Sequence, residues 1–242
     1  IKRCGYDGIF FTGVSPEPVY FYMDKGRPEL RDAAHVWGKD TLDTERILQA
    51  ESGGASAHVA CIGPAGEKLS LISGIANDGG RMAARAGLGA VMGSKRLKAV
   101  VLGGRGRIRA RRPAEMKRLS LACNAAVRDQ AEMITGIMSA RVGTLMRILP
   151  TQVAMDGKIY IGLLDKWGTA GMNQIAIEMG DSPVKNWKGS NEDFGTEKSD
   201  ALNPDVFSDC VFVKSHCYSC PLGCGGICRR NGAAEDTHKP EY

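Results

Sequence analysis

The sequence predicts an α+β fold in two parts, a sheet-rich first part followed by a mainly helical one. Three observations carry that prediction. Residues 1–104 alternate short apolar runs with glycine-rich turns, Pro113 opens a stretch with helical spacing, and Gly103-Gly104-Arg105-Gly106-Arg107-Ile108-Arg109-Ala110-Arg111-Arg112 between them mixes glycine and arginine as a boundary does. The expected division is 1–110 and 111–242.

Taken in order, Gly8-Ile9-Phe10-Phe11-Thr12-Gly13 and Pro18-Val19-Tyr20-Phe21-Tyr22-Met23 read as strands, with Lys25-Gly26 as a hairpin turn into Glu29-Leu30-Arg31-Asp32. Residues 41–51 read as a helix with Leu42, Ile47 and Leu48 near one face. His58-Val59-Ala60-Cys61-Ile62 is a further strand, ended by the turn signal Gly63-Pro64-Ala65-Gly66. Residues 70–76 and 97–102 complete the strands, with a small-residue, helix-compatible segment between them. Beyond Pro113, which suits a first helical turn, Met116, Leu119, Cys123, Ala126 and Val127 recur at helical spacing, and loops are expected over 181–205.

Of the 242 residues 43% are hydrophobic, which excludes a disordered or collagen-like chain. With 32 basic and 27 acidic side chains the net charge is +5, too mild to argue for nucleic acid. No apolar run approaches the ~18 residues of a membrane span, and the first residues lack the order of a signal peptide, so a soluble cytoplasmic protein is expected. The chain opens at Ile1 and stops at Tyr242, directly after Lys239-Pro240-Glu241, which suggests a piece of a longer protein. Eight cysteines are too few for a disulfide scaffold, yet Cys217, Cys220, Cys224 and Cys228 crowd together, while Cys4, Cys61, Cys123 and Cys210 are scattered. Such crowding points to metal.

Cys217, Cys220 and Cys224 form a C-x2-C-x3-C run. Pro221 stiffens the turn after the second thiol, and Gly223 and Gly225 allow the tight wrap that one inorganic centre needs. Three such thiolates suit a [4Fe-4S] cluster with a fourth ligand from elsewhere. The alternatives are a zinc site completed by Cys228 or His216, or local closure of the cluster by Cys228, whose other reading is packing beside Ile227.

The segment 77–95 is rich in glycine and carries Arg81, Arg85 and Lys95. Exposed amides and arginines on a small-residue loop can hold an anion such as a phosphate, and Arg81 and Arg85 would share a face if the segment were helical. The competing reading is close packing that needs small residues. Neither a Walker A loop nor a Rossmann fingerprint fits the glycine spacing.

Together the two motifs resemble the aldehyde ferredoxin oxidoreductase family. The likeness rests on Ile75-Ala76-Asn77-Asp78-Gly79-Gly80-Arg81, on Gly89-Ala90-Val91-Met92-Gly93-Ser94-Lys95-Arg96-Leu97-Lys98-Ala99, and on Cys217-Tyr218-Ser219-Cys220-Pro221-Leu222-Gly223-Cys224-Gly225. Supporting matches include Trp37-Gly38-Lys39, Gly63-Pro64-Ala65-Gly66-Glu67, Gly168-Thr169, Pro183-Val184-Lys185-Asn186 and Pro240-Glu241-Tyr242.

The resemblance implies part of a cofactor-saddling, sheet-rich domain followed by the start of a helical domain, with a tungsten or molybdenum bis-pterin, a [4Fe-4S] cluster and a magnesium ion bridging the pterin phosphates. It implies cofactor contacts from Asn77, Asp78, Gly80, Arg81, Arg85 and the Met82 carbonyl, and cluster ligation by Cys217, Cys220 and Cys224. Met82, Ala84 and Ala86 depart from the family's usual Ala, Gly and Gly. The implied activity is oxidation of a small aldehyde to a carboxylic acid with ferredoxin, or another iron-sulfur carrier, as acceptor; a homodimer is compatible with it. No catalytic acid or base is assigned, since Glu241 is near, but not at, the family's metal-side acid and the catalytic groups are expected beyond Tyr242. Two other readings stay open, a tungsten subunit of the benzoyl-CoA reductase type and a non-catalytic cluster- or zinc-binding module.

Overall fold

The computed structural model describes residues 1–131, 157–178, 180–194, 198, 202, 211–217, 219–228 and 237–238. The chain divides into two compact units, Ile1–Arg111 and Arg112–Tyr242. Mixed sheet and helices make it an α+β protein, as its sequence predicts.

The first unit is built on one six-stranded sheet of β1 (Val19–Asp24), β2 (Arg27–Asp32), β3 (His58–Cys61), β4 (Ile75–Asn77), β5 (Arg81–Ala83) and β6 (Leu97–Leu102). The order is β2-β1-β6-β3-β4-β5, with β1 and β6 parallel and the other neighbours antiparallel. The β1–β2 hairpin turns at Lys25 and Gly26, both left-handed at φ 49° and 75°, the conformation that matches strand twist. Side chains alternate across the sheet. Tyr20, Val59, Cys61, Ala99 and Val101 pack with Leu48 of α1 (Thr41–Glu51), while Phe21, Met23 and Leu97 pack with Met92 of α3 (Leu88–Ser94) and with Cys4. The Asp40 side chain caps α1, accepting from Asp43 N at 2.8 Å.

Several local expectations give way to tertiary context. Gly8–Gly13 is not a strand: β1 already has neighbours on both sides, so the segment packs through Phe11, edge-on to Phe21 at 5.2 Å, and leaves Phe10 exposed. In 70–76 only the end is strand, because Ser70 closes a turn by accepting from both the amide and the hydroxyl of Ser73. The turn after β3 is wound into a short helix, α2 (Pro64–Glu67), with proline at its start. Leu42 of α1 faces solvent, and Thr44 and Glu45 are buried instead.

β6 carries a bulge. Val19 pairs with Leu97 and Tyr20 with Ala99, which leaves Lys98 as the extra residue, its side chain fully buried. Its ammonium lies 2.5 Å from Glu67 Oε1 and donates to the Lys39 carbonyl at 2.9 Å, and both Glu67 oxygens accept from Gly38 N. One buried ion pair thus joins the bulge, α2 and the loop before α1.

In the second unit α4 (Pro113–Ala131) begins at the proline as expected. α5 (Gly157–Trp167), the 3-10 turn Gly168–Met172 and α6 (Asn173–Glu178) gather Leu163, Trp167 and Ile175 into a small core. An antiparallel sheet that the sequence reading lacked follows, β7 (Val211–Ser215), β8 (Gly225–Cys228) and β9 (Thr237–His238) in the order β7-β8-β9. Cys210 and the segment Pro240–Tyr242 lie outside the described residues, and no described helix is long and apolar enough to cross a membrane.

Candidate functional site

In the first unit the candidate cofactor residues lie on a hairpin, not on a helix. Asp78, Gly79 and Gly80 take φ values of 48°, 72° and 121°, reversing the chain so that Arg81 opens β5 opposite Asn77. The expected shared helix face of Arg81 and Arg85 is therefore absent: Arg81 is in an edge strand and Arg85 is exposed in the bend that follows. Three successive left-handed residues end one strand and aim the next, and no helix can pass through them.

The turn is held from two sides. Glu45 of α1 accepts the Gly79 amide, at 2.9 Å to Oε2 and 3.2 Å to Oε1, and His58 Nδ1 lies 3.5 Å from Asp78 Oδ1. A cavity of about 450 Å³ beside it is lined by His58, Asn77 and Asp78 together with Phe11, Val100 and Leu102 among others. On β5 the terminal methyl of Met82 fills the place a side chain at Gly74 would take, 2.8 Å from that Cβ position. The rest of the Met82 side chain stays exposed.

Ala86 is different. At φ 64° it holds a left-handed conformation that strains an L side chain, and this accounts for a glycine being the favoured residue there. Ala86→Gly is expected to stabilise the first unit by about 0.5–1 kcal/mol, read as a rise in the urea midpoint at constant slope; an unchanged or lower midpoint would show that the conformation carries no cost.

The later glycines of the segment are packing positions. A Cβ at Gly89 would stand 2.6 Å from the Gly74 carbonyl oxygen, and one at Gly93 would overlap the Gly66 carbonyl. α2 and α3 therefore meet backbone to backbone. The two sequence readings of 77–95 divide at Ala86: an open, arginine-bearing turn and strand before it, close-packed glycine after it.

In the second unit Cys217, Cys220 and Cys224 share one loop, residues 216–224, closed at its base by the pairing of Ser215 with Gly225. Cys220 N donates to Cys217 O at 3.0 Å, and Ser219 and Gly223 are left-handed at φ 57° and 64°. The His216 ring lies against Gly223, where a Cβ would come within 2.7 Å of both ring nitrogens, and His216 Nδ1 is 3.2 Å from Cys220 O. Thr169 N donates to Cys224 O at 3.3 Å, and Lys214 pairs with Asp165 of α5 at 3.0 Å, so the loop is tied to the helical core of its unit.

Cys217 is exposed and Cys220 and Cys224 are half-buried; among the described residues no three His, Cys, Asp or Glu side chains converge on one point. The donor set itself suits an iron-sulfur cluster, with three thiols on a loop bearing two left-handed residues. Cys228 stands in β8 three residues past Gly225, roughly 10 Å along the strand from the loop base. Cys61 offers no reactive thiol, since burial pushes it up to about 12.

Comparison with known proteins decides the family. Residues 1–104 match the aldehyde ferredoxin oxidoreductase N-terminal domain, and residues 151–242 match domains 2 and 3 of the same family. The chain belongs to the aldehyde ferredoxin oxidoreductase family. It is 34% identical over all 242 residues to the tungsten-containing aldehyde ferredoxin oxidoreductases of Pyrococcus furiosus and Thermococcus kodakarensis, and spans 35% of the length of each. A Pyrococcus furiosus aliphatic sulfonate oxidoreductase subunit is 26% identical over 93% of the chain and 33% of its own length. Among solved structures, the active-site complex of benzoyl coenzyme A reductase with 1,5-dienoyl-CoA matches the whole chain and 34% of its own, at 27% identity and a TM-score of 0.63.

Both candidate segments, 77–86 and 217–224, lie inside the stretches that match this family. Sequence reading missed the buried carboxylates. Glu45 sits in a helix of mixed polarity and Glu67 in a proline-glycine turn, and neither has a spacing that announces burial. It also missed three successive left-handed residues, Lys185, Asn186 and Trp187 at φ 51–66°, within the stretch expected only as loops.

Proposed function

We propose that this chain is the pterin- and cluster-binding part of a cytoplasmic oxidoreductase. Its reaction takes an aldehyde and water to a carboxylic acid, two protons and two electrons, which leave through a [4Fe-4S] cluster to ferredoxin. One observation carries the reading: 34% identity to tungsten-containing aldehyde ferredoxin oxidoreductases across the full chain, including both candidate segments.

When bound, a tungsten bis-pterin supplies the two-electron couple. The residues of this chain bind and orient it. The guanidinium groups of Arg81 and Arg85 suit the anionic phosphates of a pterin, and the Met82 carbonyl is an oxygen donor of the kind magnesium takes. Asn77, Asp78 and Gly80 shape the turn that presents them. Cys217, Cys220 and Cys224 supply three thiolates, and the place of Cys228 along β8 supports a fourth ligand from elsewhere.

The test is Arg81→Ala in the full-length enzyme, purified without oxygen. Tungsten and pterin per subunit are expected to fall about tenfold, the equivalent of one lost charge-assisted hydrogen bond, while iron stays at the wild-type level. Full tungsten occupancy in the variant would remove Arg81 from the cofactor site, and molybdenum in the wild type would change the metal.

The benzoyl-CoA reductase likeness favours a second reading, in which the same cofactor set serves an aromatic CoA thioester. Oxidation of aldehydes by the full-length enzyme, with no turnover of that thioester, separates the two.

A further inference from the structure

We infer that Glu45 is a positioning residue for the cofactor turn: its buried carboxylate fixes the Asp78-Gly79-Gly80 reversal and thereby the placement of Arg81. The inference rests on the pterin reading of that turn. Glu45 lies in the middle of α1 at 6% exposure, between Thr44, whose hydroxyl donates to Asp40 O at 2.6 Å, and Leu48, which is fully buried in the core. Gln49 Nε2, one helical turn on, donates to Glu45 Oε1 at 3.3 Å. Both carboxylate oxygens face the Gly79 amide.

A carboxylate in this position is costly unless its oxygens are satisfied, and a leucine would serve the helix packing better. What the carboxylate adds is a charge-assisted acceptor for one peptide N–H on a rigid helix. The turn needs such a tether. It joins two strands of three residues at the sheet edge, spends three residues in left-handed space, one of them Asp78, and carries at its tip the backbone bond from Gly80 N to Asn77 O at 3.2 Å. A guanidinium next to a wandering turn must be ordered as the ligand binds, at a cost in affinity, whereas a tethered turn offers Arg81 already placed. A carboxylate is a poor direct partner for an anionic phosphate, so the role assigned is support.

The test compares Glu45→Ala and Glu45→Gln with wild type in the full-length enzyme, reading amide hydrogen exchange over residues 79–83 alongside tungsten, pterin and iron per subunit. In Glu45→Ala, exchange in that segment is expected to quicken about tenfold or more and tungsten and pterin to fall about tenfold, with iron and the protection of α1 and β6 unchanged. In Glu45→Gln, whose amide oxygen can still accept from Gly79, both readouts are expected to return most of the way to wild type. Full tungsten and pterin in Glu45→Ala would overturn the inference, as would loss of protection throughout the first unit, or equal losses in the two variants. A wild-type enzyme without pterin would be the failure of the functional reading itself, and is distinguished by arising before any substitution.

Discussion

Glu67→Ala is expected to destabilise the first unit by about 3–5 kcal/mol, a large share of the stability of a domain of this size. Lys98 is a bulge residue with no solvent at its ammonium, and Glu67 is its only carboxylate partner among the described residues. Removing Glu67 strands a buried cation and also orphans the Gly38 amide, which both Glu67 oxygens accept. Glu67→Gln keeps an acceptor for Gly38 and should cost less. Replacing the pair together, as Glu67→Leu with Lys98→Met, removes the stranded charge and frees Gly38 N and Lys39 O on exposed residues, so most of the loss should be recovered. Urea unfolding of the intact protein, with exchange of β6 amides as the local readout, checks the order Ala, then the double variant, then wild type. A loss below about 1 kcal/mol for Glu67→Ala would mean that the pair is solvated.

Cys220→Ser is expected to take iron and inorganic sulfide from a full complement to near zero. Cys220 is the middle thiol of the loop, and a cluster deprived of one of its thiolates there has only a weaker oxygen donor in its place. Cys217→Ser and Cys224→Ser should behave alike, since all three sit on the loop closed by Ser215 and Gly225. Cys228→Ser should leave the iron content unchanged, because β8 carries that residue away from the loop. Stoichiometric zinc without iron or sulfide in the anaerobically reconstituted wild type would instead favour the zinc alternative. Iron lost in Cys228→Ser would make that cysteine the closing ligand.

Local chemistry was readable before the fold. The Lys25-Gly26 turn, the helix over 41–51 and the strand over 97–102 are encoded by neighbouring residues, and all three stand where their signals put them. The apolar run at 8–13 carries the same strand signal as β1, but pairing with β1 needs a free edge, and β1 is already flanked by β2 and by β6 from far along the chain. The 77–95 segment shows the limit from another side: glycines that permit a reversal and glycines that permit contact look identical in a sequence. Glu45, Glu67 and Lys98 were invisible as site or core residues because charge in a sequence reads as surface. Only the bulge in β6 and the short α2 reveal that two of them meet.

The backbone contact between α2 and α3 has a consequence for how this protein can change. Gly66, Gly89 and Gly93 each lack room for even one methyl, and at Gly89 and Gly93 the obstacle is a main-chain carbonyl that no substitution elsewhere can trim, while at Gly66 it is first the Ile62 side chain. In a saturation scan these positions should reject alanine as firmly as aspartate, forming a stripe that is blind to polarity and sensitive only to size. Size alone, not polarity, would then decide which substitutions the glycine seam tolerates.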